Sequence, residues 1–282
     1  MNINKPIFIV GIARSGTTIL YDLFTKHKDT GYVERYSNKL HNKPNLFWLI
    51  PWMLKYQKIR YGINRPRPSE GWVWNEFAEP LEYLDETKVT EKIKQYYYKI
   101  IKTELKAFNA NRFVSKNPRH CLRIPWLNAI FPDAKYILIW REPKAVINSN
   151  YTKIKEEWEM EFRFPFKNYK GHKTLVEQFG NGSKFDACVN FYQYQQDILN
   201  KDKMLVKDRL IEMKYSDLVT QPIEMFKKLY KFAELSWYDD LLEYIPKKLE
   251  QFNDEKWKKL PEKEKEILEN TFGNSKEGKQ IV

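Results

Sequence analysis

The chain has 282 residues, of which 42% are hydrophobic and 16% aromatic, and its formal net charge is +12. This composition excludes general disorder and is sufficient for a sizeable core, whereas the basic charge suits a polyanionic ligand, an acidic polymer or a membrane face without choosing among them. The two cysteines, Cys121 and Cys188, are single and far apart, which is typical of a reducing compartment and forms neither a disulfide framework nor a metal-binding spacing.

The first predicted element is a short buried strand, Ile7 to Val10, that runs into a glycine loop and then a helix. Gly11 and Gly16 bracket the loop, and Thr17 and Thr18 begin the amphipathic run of the helix. At such a helix N-terminus, free backbone N–H groups and the helix dipole point to the same place. The stretch therefore predicts an anion-binding site.

The loop differs from the nucleotide-binding P-loop, whose pattern is G-x-x-x-x-G-K-[ST]. Thr17 stands where that pattern has the lysine that reaches the β- and γ-phosphates. A cation is instead available at Arg14, inside the loop. The loop therefore indicates a phosphate-like anion and argues against an ordinary ATP or GTP hydrolase.

Strands and helices alternate along the rest of the chain. The further predicted strands are Gly31–Glu34, Arg112–Lys116, Ala134–Trp140 and Leu210–Tyr215. The further predicted helices are Thr87–Phe108, His120–Ile130, Pro143–Tyr151, Phe185–Leu199 and Pro222–Ala233. This alternation predicts an α/β fold of three layers, a central parallel sheet of about five strands flanked by helices, in one domain over residues 1–282.

Two segments interrupt the alternation and are interpreted as insertions. Residues 35–85 are rich in proline and in aromatic side chains, which suit a sugar-like acceptor but equally suit a small satellite core. Residues 154–183 combine aromatics with glycines and are interpreted as a long loop or lid. From Lys247 onward we expect a charged helical tail.

The sequence also bears on location. No apolar run is long enough to span a bilayer, and the first residues lead straight into the strand without the pattern of a signal peptide. We therefore expect a cytoplasmic protein, and a membrane-peripheral position stays open as an alternative.

Polar and charged residues stand where the predicted strands end. The loop from Gly11 to Thr18 follows the first strand, and Glu34, Lys116 and Arg141 end or follow later ones. In parallel α/β sheets, ligands bind beyond the carboxyl ends of the strands. We therefore expect these residues to converge on one site.

The motifs together resemble those of a known family. Arg14-Ser-Gly-Thr-Thr18 after an apolar strand resembles the 5′-phosphosulfate loop of sulfotransferases that use 3′-phosphoadenosine 5′-phosphosulfate (PAPS). Arg141 and Ser149 have the eight-residue spacing of the family's 3′-phosphate signature, and Lys116-Asn-Pro-Arg-His120 and Tyr215-Ser-Asp-Leu218 resemble two further elements. The resemblance runs from residue 6 to about 235. The Arg-Lys-Gly element that small cytosolic members carry near the C-terminus is missing.

The resemblance implies a P-loop-like fold and a binding site for PAPS and its product, adenosine 3′,5′-bisphosphate (PAP), without a metal ion. The implied cofactor-binding residues are Arg14, Ser15, Gly16, Thr17, Thr18, Arg141, Ser149 and Tyr215. Backbone N–H groups of the loop would hold the 5′-phosphate, Arg141 and Ser149 the 3′-phosphate, and Tyr215 would lie near the adenosine.

The resemblance also implies the catalytic roles. Arg14 and Lys116 would stabilise charge that develops on the sulfuryl and bridging oxygens. The acceptor hydroxyl, which we expect on a saccharide or glycolipid, requires a general base. Glu34 ranks first for that role and His120 second.

Three other functions stay open. The first is a P-loop-type kinase of small molecules, against which the threonine at position 17 weighs. The second is a non-catalytic nucleotide-binding module. The third is a basic nucleic-acid binder, for which no recognition module is visible.

Overall fold

The computed structural model describes residues 3–63, 65–69, 71–79, 81–159, 171–246, 249 and 254–273. Five parallel strands form one sheet in the order β2-β3-β1-β4-β5. They are β1 (Ile7–Val10), β2 (Thr30–Gly31), β3 (Arg112–Lys116), β4 (Lys135–Trp140) and β5 (Leu210–Lys214).

Helices connect the strands and cover both faces of the sheet. Those before β4 are α1 (Thr17–Phe24), α2 (Arg35–Lys39), α3 (Ile50–Tyr61), α4 (Glu91–Phe108) and α5 (Ile124–Ile130). Those after β4 are α6 (Pro143–Glu159), α7 (Gly171–Phe179), α8 (Lys184–Asp202), α9 (Tyr215–Thr220), α10 (Pro222–Phe232) and α11 (Glu262–Phe272). The predicted fold class, a parallel sheet of five strands flanked by helices, is confirmed.

The central strand β1 divides the hydrophobic core into two halves. Because side chains alternate along a strand, Phe8 and Val10 pack into the cluster on one face and Ile7 and Ile9 into the cluster on the other. All four side chains are fully buried. A strand covered on both faces needs apolar residues at every position, which is why this stretch has no polar alternation.

Several predicted boundaries differ from the structure. The helix predicted at His120–Ile130 begins at Ile124, after a 3-10 turn that holds His120, and the helix predicted to end at Tyr151 continues to Glu159. The second strand ends at Gly31, and Glu34 instead lies at the N-cap of α2. The long helix begins at Glu91 after the extended cap residue Thr90, so Thr87 lies in a separate 3-10 turn. Tyr215 begins α9 and is not part of the fifth strand.

Parts of both predicted insertions are helical in the structure. Residues 35–69 leave the sheet after Val33 and return to it, since Glu34 bridges Pro68 and the Ser69 amide donates to the Val33 carbonyl. The predicted loop or lid at 154–183 begins inside α6 and includes α7. Its residues 160–170, with Phe162, Phe164 and Phe166, lie outside the described residues, as do the last nine residues of the chain.

None of the described helices is both long and apolar enough to cross a bilayer.

Candidate functional site

The loop between β1 and α1 is shaped by one close contact. Gly16 has φ = +97°, and a Cβ atom placed on it would lie 2.4 Å from Cδ2 of Tyr215. Arg14 also has a positive φ of 76°, and the Ser15 amide donates to the Ile12 carbonyl over 3.1 Å. The chain therefore turns sharply enough for the loop to fold over the beginning of α1.

The N-terminus of α1 provides the anion-binding geometry. The first N–H groups of a helix have no partner within it, and no described side chain caps this end. Thr17 is buried and Thr18 is exposed at the first turn. The uncapped donors and the helix dipole fit a phosphate group, because both favour negative charge at this point.

Arg141 lies directly beyond β4 and contacts this loop. Its Nη1 donates to the carbonyl oxygen of Arg14 over 2.9 Å, and its guanidinium lies 4.5 Å from the centre of the Tyr215 ring. Its Nε donates to Oδ1 of Asp254 over 2.9 Å. The guanidinium is thus fixed by a backbone carbonyl, an aromatic face and a carboxylate.

Two successive side chains of α6 hold the other side of the loop. Nε of Arg14 donates to the hydroxyl of Ser149 over 2.9 Å. Nδ2 of Asn150 donates to the carbonyl of Ala13 over 3.2 Å. Because α6 begins at Pro143, directly after Arg141, the eight-residue spacing places Ser149 within two turns of the helix start and beside the loop.

Lys116 ends β3 on the same edge of the sheet. The β1–β3 register pairs it with Ile9, just before the loop. Lys116 is also close enough to Asp22 on α1 to lower the pKa of that carboxyl, although burial has the larger effect and raises that pKa overall. Lys116 therefore lies between the loop and the side of the sheet where Glu34 is found.

Glu34 is a fully buried carboxylate at the N-cap of α2. Oε2 accepts from the amide of Tyr36 over 2.7 Å, and Oε1 accepts from the amide of Ser37 over 2.8 Å and from its hydroxyl over 3.1 Å. Burial raises the pKa of Glu34, and these hydrogen bonds oppose the rise in pKa without cancelling it. A carboxylate in this state is a stronger base than one in water.

His120, the second candidate base, lies in the hydrophobic core. Its Nε2 is 2.9 Å from the hydroxyl of Ser115, and its ring packs edge-on against Trp74 and Phe8 at centroid distances of 4.9 and 5.4 Å. The ring is fully buried, and burial lowers its pKa well below the ordinary value. This environment makes His120 a weak base and favours Glu34 for the role.

The structure brings Arg14, Arg141, Ser149 and Tyr215 into contact around one loop. It buries His120 in the core beside Ser115. Sequence reasoning missed Asp254 and Asn150. The position of Asn150 next to Ser149 is the one local signal that pointed to it, and nothing near Asp254 in the sequence marks it as a partner of Arg141. Among the described residues, no cluster of histidine, cysteine and acidic side chains is arranged to hold a metal ion.

Comparison with known proteins gives a family. A family model described as "Sulfotransferase family" matches residues 6–240. An uncharacterized protein of Aquifex aeolicus is 25% identical over 246 residues, which are 86% of this chain and 27% of that protein. The omega-hydroxy-beta-dihydromenaquinone-9 sulfotransferase of Mycobacterium tuberculosis is 25% identical over 287 residues, which cover 86% of this chain and 66% of that protein.

Protein-tyrosine sulfotransferase 1 of Danio rerio is 22% identical over 241 residues, which cover 84% of this chain and 55% of that protein. The chain thus spans less than two thirds of the length of each of these relatives.

Solved structures share the fold. A sulfotransferase of Mycobacterium avium superposes with a TM-score of 0.61 at 15% identity, over 96% of this chain and 76% of that chain. A sulfotransferase of Mycobacterium tuberculosis superposes with a TM-score of 0.57 at 14% identity, over 96% of this chain and 77% of that chain. At this level of identity the likeness establishes the P-loop-like α/β fold.

Proposed function

The chain belongs to the sulfotransferase family, and we propose that it transfers the sulfuryl group of PAPS to the hydroxyl group of an acceptor. The main support for this proposal is that Arg14 contacts Ser149, and Arg141 contacts both the Arg14 carbonyl and the Tyr215 ring. These contacts lie next to the N-terminus of α1, which no described side chain caps. A nucleotide with phosphates at two positions requires donors and cations in such an arrangement.

Each part of the site has a proposed role in donor binding. When bound, PAPS supplies an activated sulfuryl group next to its 5′-phosphate. The backbone N–H groups of residues 16–18 hold the 5′-phosphate, since the Ser15 amide already donates to the Ile12 carbonyl. Arg141 and Ser149 bind the 3′-phosphate. Tyr215 supports Gly16 and the Arg141 guanidinium from one side, which favours a positioning role next to the adenosine.

The chemical step depends on charge and on one proton. Arg14 and Lys116 stabilise negative charge on the sulfuryl and bridging oxygens, since fixed cations need no reorganisation during the reaction. We assign the uptake of the acceptor hydroxyl's proton to the Glu34 carboxylate, because burial raises its pKa and so makes it a stronger base than a carboxylate in water.

For the acceptor we propose a hydroxyl group on a saccharide or glycolipid. The support is the aromatic-rich segment that begins at Glu34, the proposed base, and returns at Pro68. The named relatives act on a hydroxylated quinone and on protein tyrosine, so the family's site accommodates acceptors of different chemistry. We also propose a cytoplasmic location, because Cys121 and Cys188 are free thiols.

Calorimetric titration with PAP tests donor binding. Arg141→Ala is expected to weaken PAP binding by roughly 100-fold, since it removes a charged partner of the 3′-phosphate. Arg60→Ala, which changes an exposed arginine of α3, is the matched control and is expected to bind PAP normally. An unchanged affinity in Arg141→Ala would overturn the assignment of the 3′-phosphate.

Transfer itself is tested with labelled PAPS against a panel of sugars, glycolipids and phenols. We expect label to appear on sugars or glycolipids. Label on phenols alone would overturn the acceptor class while leaving the donor site intact. PAP binding without transfer to any acceptor class would favour the non-catalytic module.

A further inference from the structure

Helix α3 carries a row of large apolar side chains on its solvent side. Trp52, Tyr56 and Ile59 are 66%, 50% and 75% exposed, and Trp48 in the preceding 3-10 turn is 70% exposed. Residues three and four positions apart share one side of a helix, and the rings of Trp52 and Tyr56 are stacked with centroids 6.2 Å apart. We call Trp48, Trp52, Tyr56 and Ile59 the aromatic stripe.

The aromatic stripe takes no part in holding α3 on the protein. The opposite side of the helix does so, with Ile50 fully buried and Leu54 nearly so in the main core. The helix therefore has two apolar sides, of which one meets the core and the other meets solvent. A contiguous exposed apolar surface of this kind marks an interaction site, because leaving it in water costs free energy.

The chain segment that carries the aromatic stripe has charges of one sign. Eight cationic residues and no aspartate or glutamate occur between Glu34 and Glu70. At about 100° per residue around the helix, Lys55 lies on one side of the stripe and Arg60 on the other, and both are exposed. Tryptophan and tyrosine prefer the boundary between water and lipid, and cations on either side of them favour anionic headgroups.

From these observations we propose that the protein binds an anionic lipid bilayer through the aromatic stripe, with Lys55 and Arg60 among the headgroups. Insertion of the stripe buries its apolar surface, and each nearby lysine or arginine adds an electrostatic attraction to an anionic surface. The proposed partner is the surface of an anionic bilayer.

A second copy of this chain is the weaker candidate for the same surface. Pairing two stripes would bring Lys55, Lys58 and Arg60 of both copies together with no acidic residue of this segment to neutralise them. Like charges at that separation oppose association.

Nucleic acid is also weaker as a partner. Bases stack on aromatic rings, but Ile59, the most exposed residue of the stripe, offers them no ring. The Trp52 and Tyr56 rings are already stacked on each other.

The aromatic stripe lies on the segment that leaves the sheet at Glu34 and returns to it at Pro68. Bilayer binding would therefore hold the two ends of that segment, and the proposed base with them, near the lipid surface. This link to the acceptor rests on the proposed function, whereas the binding of the bilayer does not. If the base lies near the lipid surface, the acceptor is an amphiphile held in the membrane, which narrows the proposed acceptor to a glycolipid.

Vesicle flotation tests the proposal, with vesicles of phosphatidylcholine alone and of phosphatidylcholine mixed with phosphatidylserine. The wild-type protein is expected to bind the anionic vesicles at least about tenfold more tightly than the neutral ones. Two variants, Trp52→Ser/Ile59→Ser and Lys55→Glu, are each expected to lose about tenfold or more of that affinity. Both change exposed side chains, and denaturant unfolding shows whether each variant is folded.

Residues 203–209 offer matched controls on another surface, since Met204 and Leu205 are exposed apolar residues and Lys207 is an exposed cation. Met204→Ser/Leu205→Ser and Lys207→Glu are expected to bind vesicles like the wild-type protein. Equal losses in the control and stripe variants would overturn the proposal, as would absence of wild-type binding to anionic vesicles.

Two further outcomes would assign the surface differently and so overturn the proposal. The first is a dimer in light scattering that Trp52→Ser/Ile59→Ser converts to a monomer without any vesicle binding. The second is a salt-dependent shift of an oligonucleotide that Lys55→Glu abolishes, again without vesicle binding. Vesicle binding without PAP binding would support the bilayer proposal and overturn the transfer proposal. PAP binding without vesicle binding would overturn the bilayer proposal and leave the transfer proposal in place.

Discussion

Gly16 shows how a single missing side chain shapes the anion site. Its positive φ disfavours any residue with a Cβ atom, and the Tyr215 ring occupies the space that a Cβ would need. The same ring faces the guanidinium of Arg141. A substitution at Gly16 therefore acts both on the loop and, through Tyr215, on the neighbouring cation.

For Gly16→Ala we expect a loss of about 1–3 kcal/mol in the free energy of unfolding from backbone strain and the clash. PAP affinity should also fall at least about tenfold because Tyr215 and Arg141 shift. Gly62→Ala is the matched control, since Gly62 also has a positive φ but nothing lies within 4 Å of its added Cβ. Denaturant unfolding and calorimetry measure both effects, and normal PAP binding by Gly16→Ala would contradict this account.

Glu34 combines a structural task with the proposed chemical one. Its carboxylate caps α2, and replacement by glutamine keeps one oxygen as an acceptor while removing the ability to take up a proton. We expect Glu34→Gln to lower kcat by about 100-fold, with PAP affinity unchanged. Asp85→Asn, which alters a capping carboxylate elsewhere, should leave kcat unchanged.

The pH dependence provides a second readout for Glu34. Because burial raises its pKa above the ordinary value of 4.5, the base is lost as pH falls through that higher pKa. The acidic limb of kcat/KM in the wild-type protein should therefore have its midpoint above 4.5. Near-normal turnover by Glu34→Gln with the same acidic limb would remove the residue from the mechanism.

At the scale of elements, the chain after residue 253 contacts the candidate site, which the sequence did not predict. Asp254 binds Arg141, and the ring of Trp257 lies 4.5 Å from Nζ of Lys144 at the beginning of α6. Both contacts come from the C-terminal part of the chain, in which the sequence lacks the Arg-Lys-Gly element. A carboxylate therefore occupies the guanidinium to which we assign the 3′-phosphate.

Removing this carboxylate should make Arg141 more available to an anion. We expect Asp254→Asn to bind PAP about tenfold more tightly, because the phosphate no longer displaces a partly buried carboxylate from Arg141. Asp240→Asn, at an exposed acidic residue, is the control for the change in net charge. Weaker PAP binding by Asp254→Asn would mean that the carboxylate positions Arg141 for the donor.

The elements also show which parts of the structure the sequence could predict. The ends of β1, β3, β4 and β5 were predicted within one residue, because buried apolar runs between turn signals leave few alternatives. The N-cap role of Glu34 was not predicted, since it depends on side-chain bonds to backbone groups that a strand pattern does not report. The Arg141–Asp254 pair joins residues 113 positions apart, a separation at which local pattern carries no information.

Over the whole molecule, the two ends of the parallel strands have different roles. The candidate site lies beyond the carboxyl ends of the strands, while an ion-pair network around Glu234 lies at their amino ends. Its carboxylate lies 2.8 Å from Nζ of Lys5, 2.8 Å from Nζ of Lys135 and 3.7 Å from Nη2 of Arg112. The network joins the beginnings of β1, β3 and β4 to the chain after α10.

This network makes part of the stability dependent on pH. Hydrogen bonds from Lys135 and Lys5 lower the pKa of Glu234 from 4.5 to about 2. A lowered carboxyl pKa stabilises the fold above pH 4.5, and this contribution is lost as pH falls toward 2. Because Glu234 is half exposed, we expect Glu234→Gln to cost only about 1 kcal/mol at neutral pH.

Denaturant unfolding at a series of pH values measures this contribution. The difference between wild type and Glu234→Gln should shrink below pH 4.5 and vanish near 2, while PAP affinity stays unchanged. Lys94 pairs with Glu91 on the surface of α4, and Glu91→Gln is the control, with little effect expected at any pH. A difference that persists at the lowest pH would contradict the ion-pair explanation.

The central place of β1 also bears on how the chain is synthesised. Its register pairs Ile7 with Val114 on one side and with Lys135 on the other, so both partners are translated long after the strand itself. At about 5–20 residues per second, the strand emerges from the ribosome and waits on the order of 5–25 s for them. Throughout that interval the strand has two open edges and apolar side chains on both faces, so we expect the nascent chain to depend on chaperones that shield it.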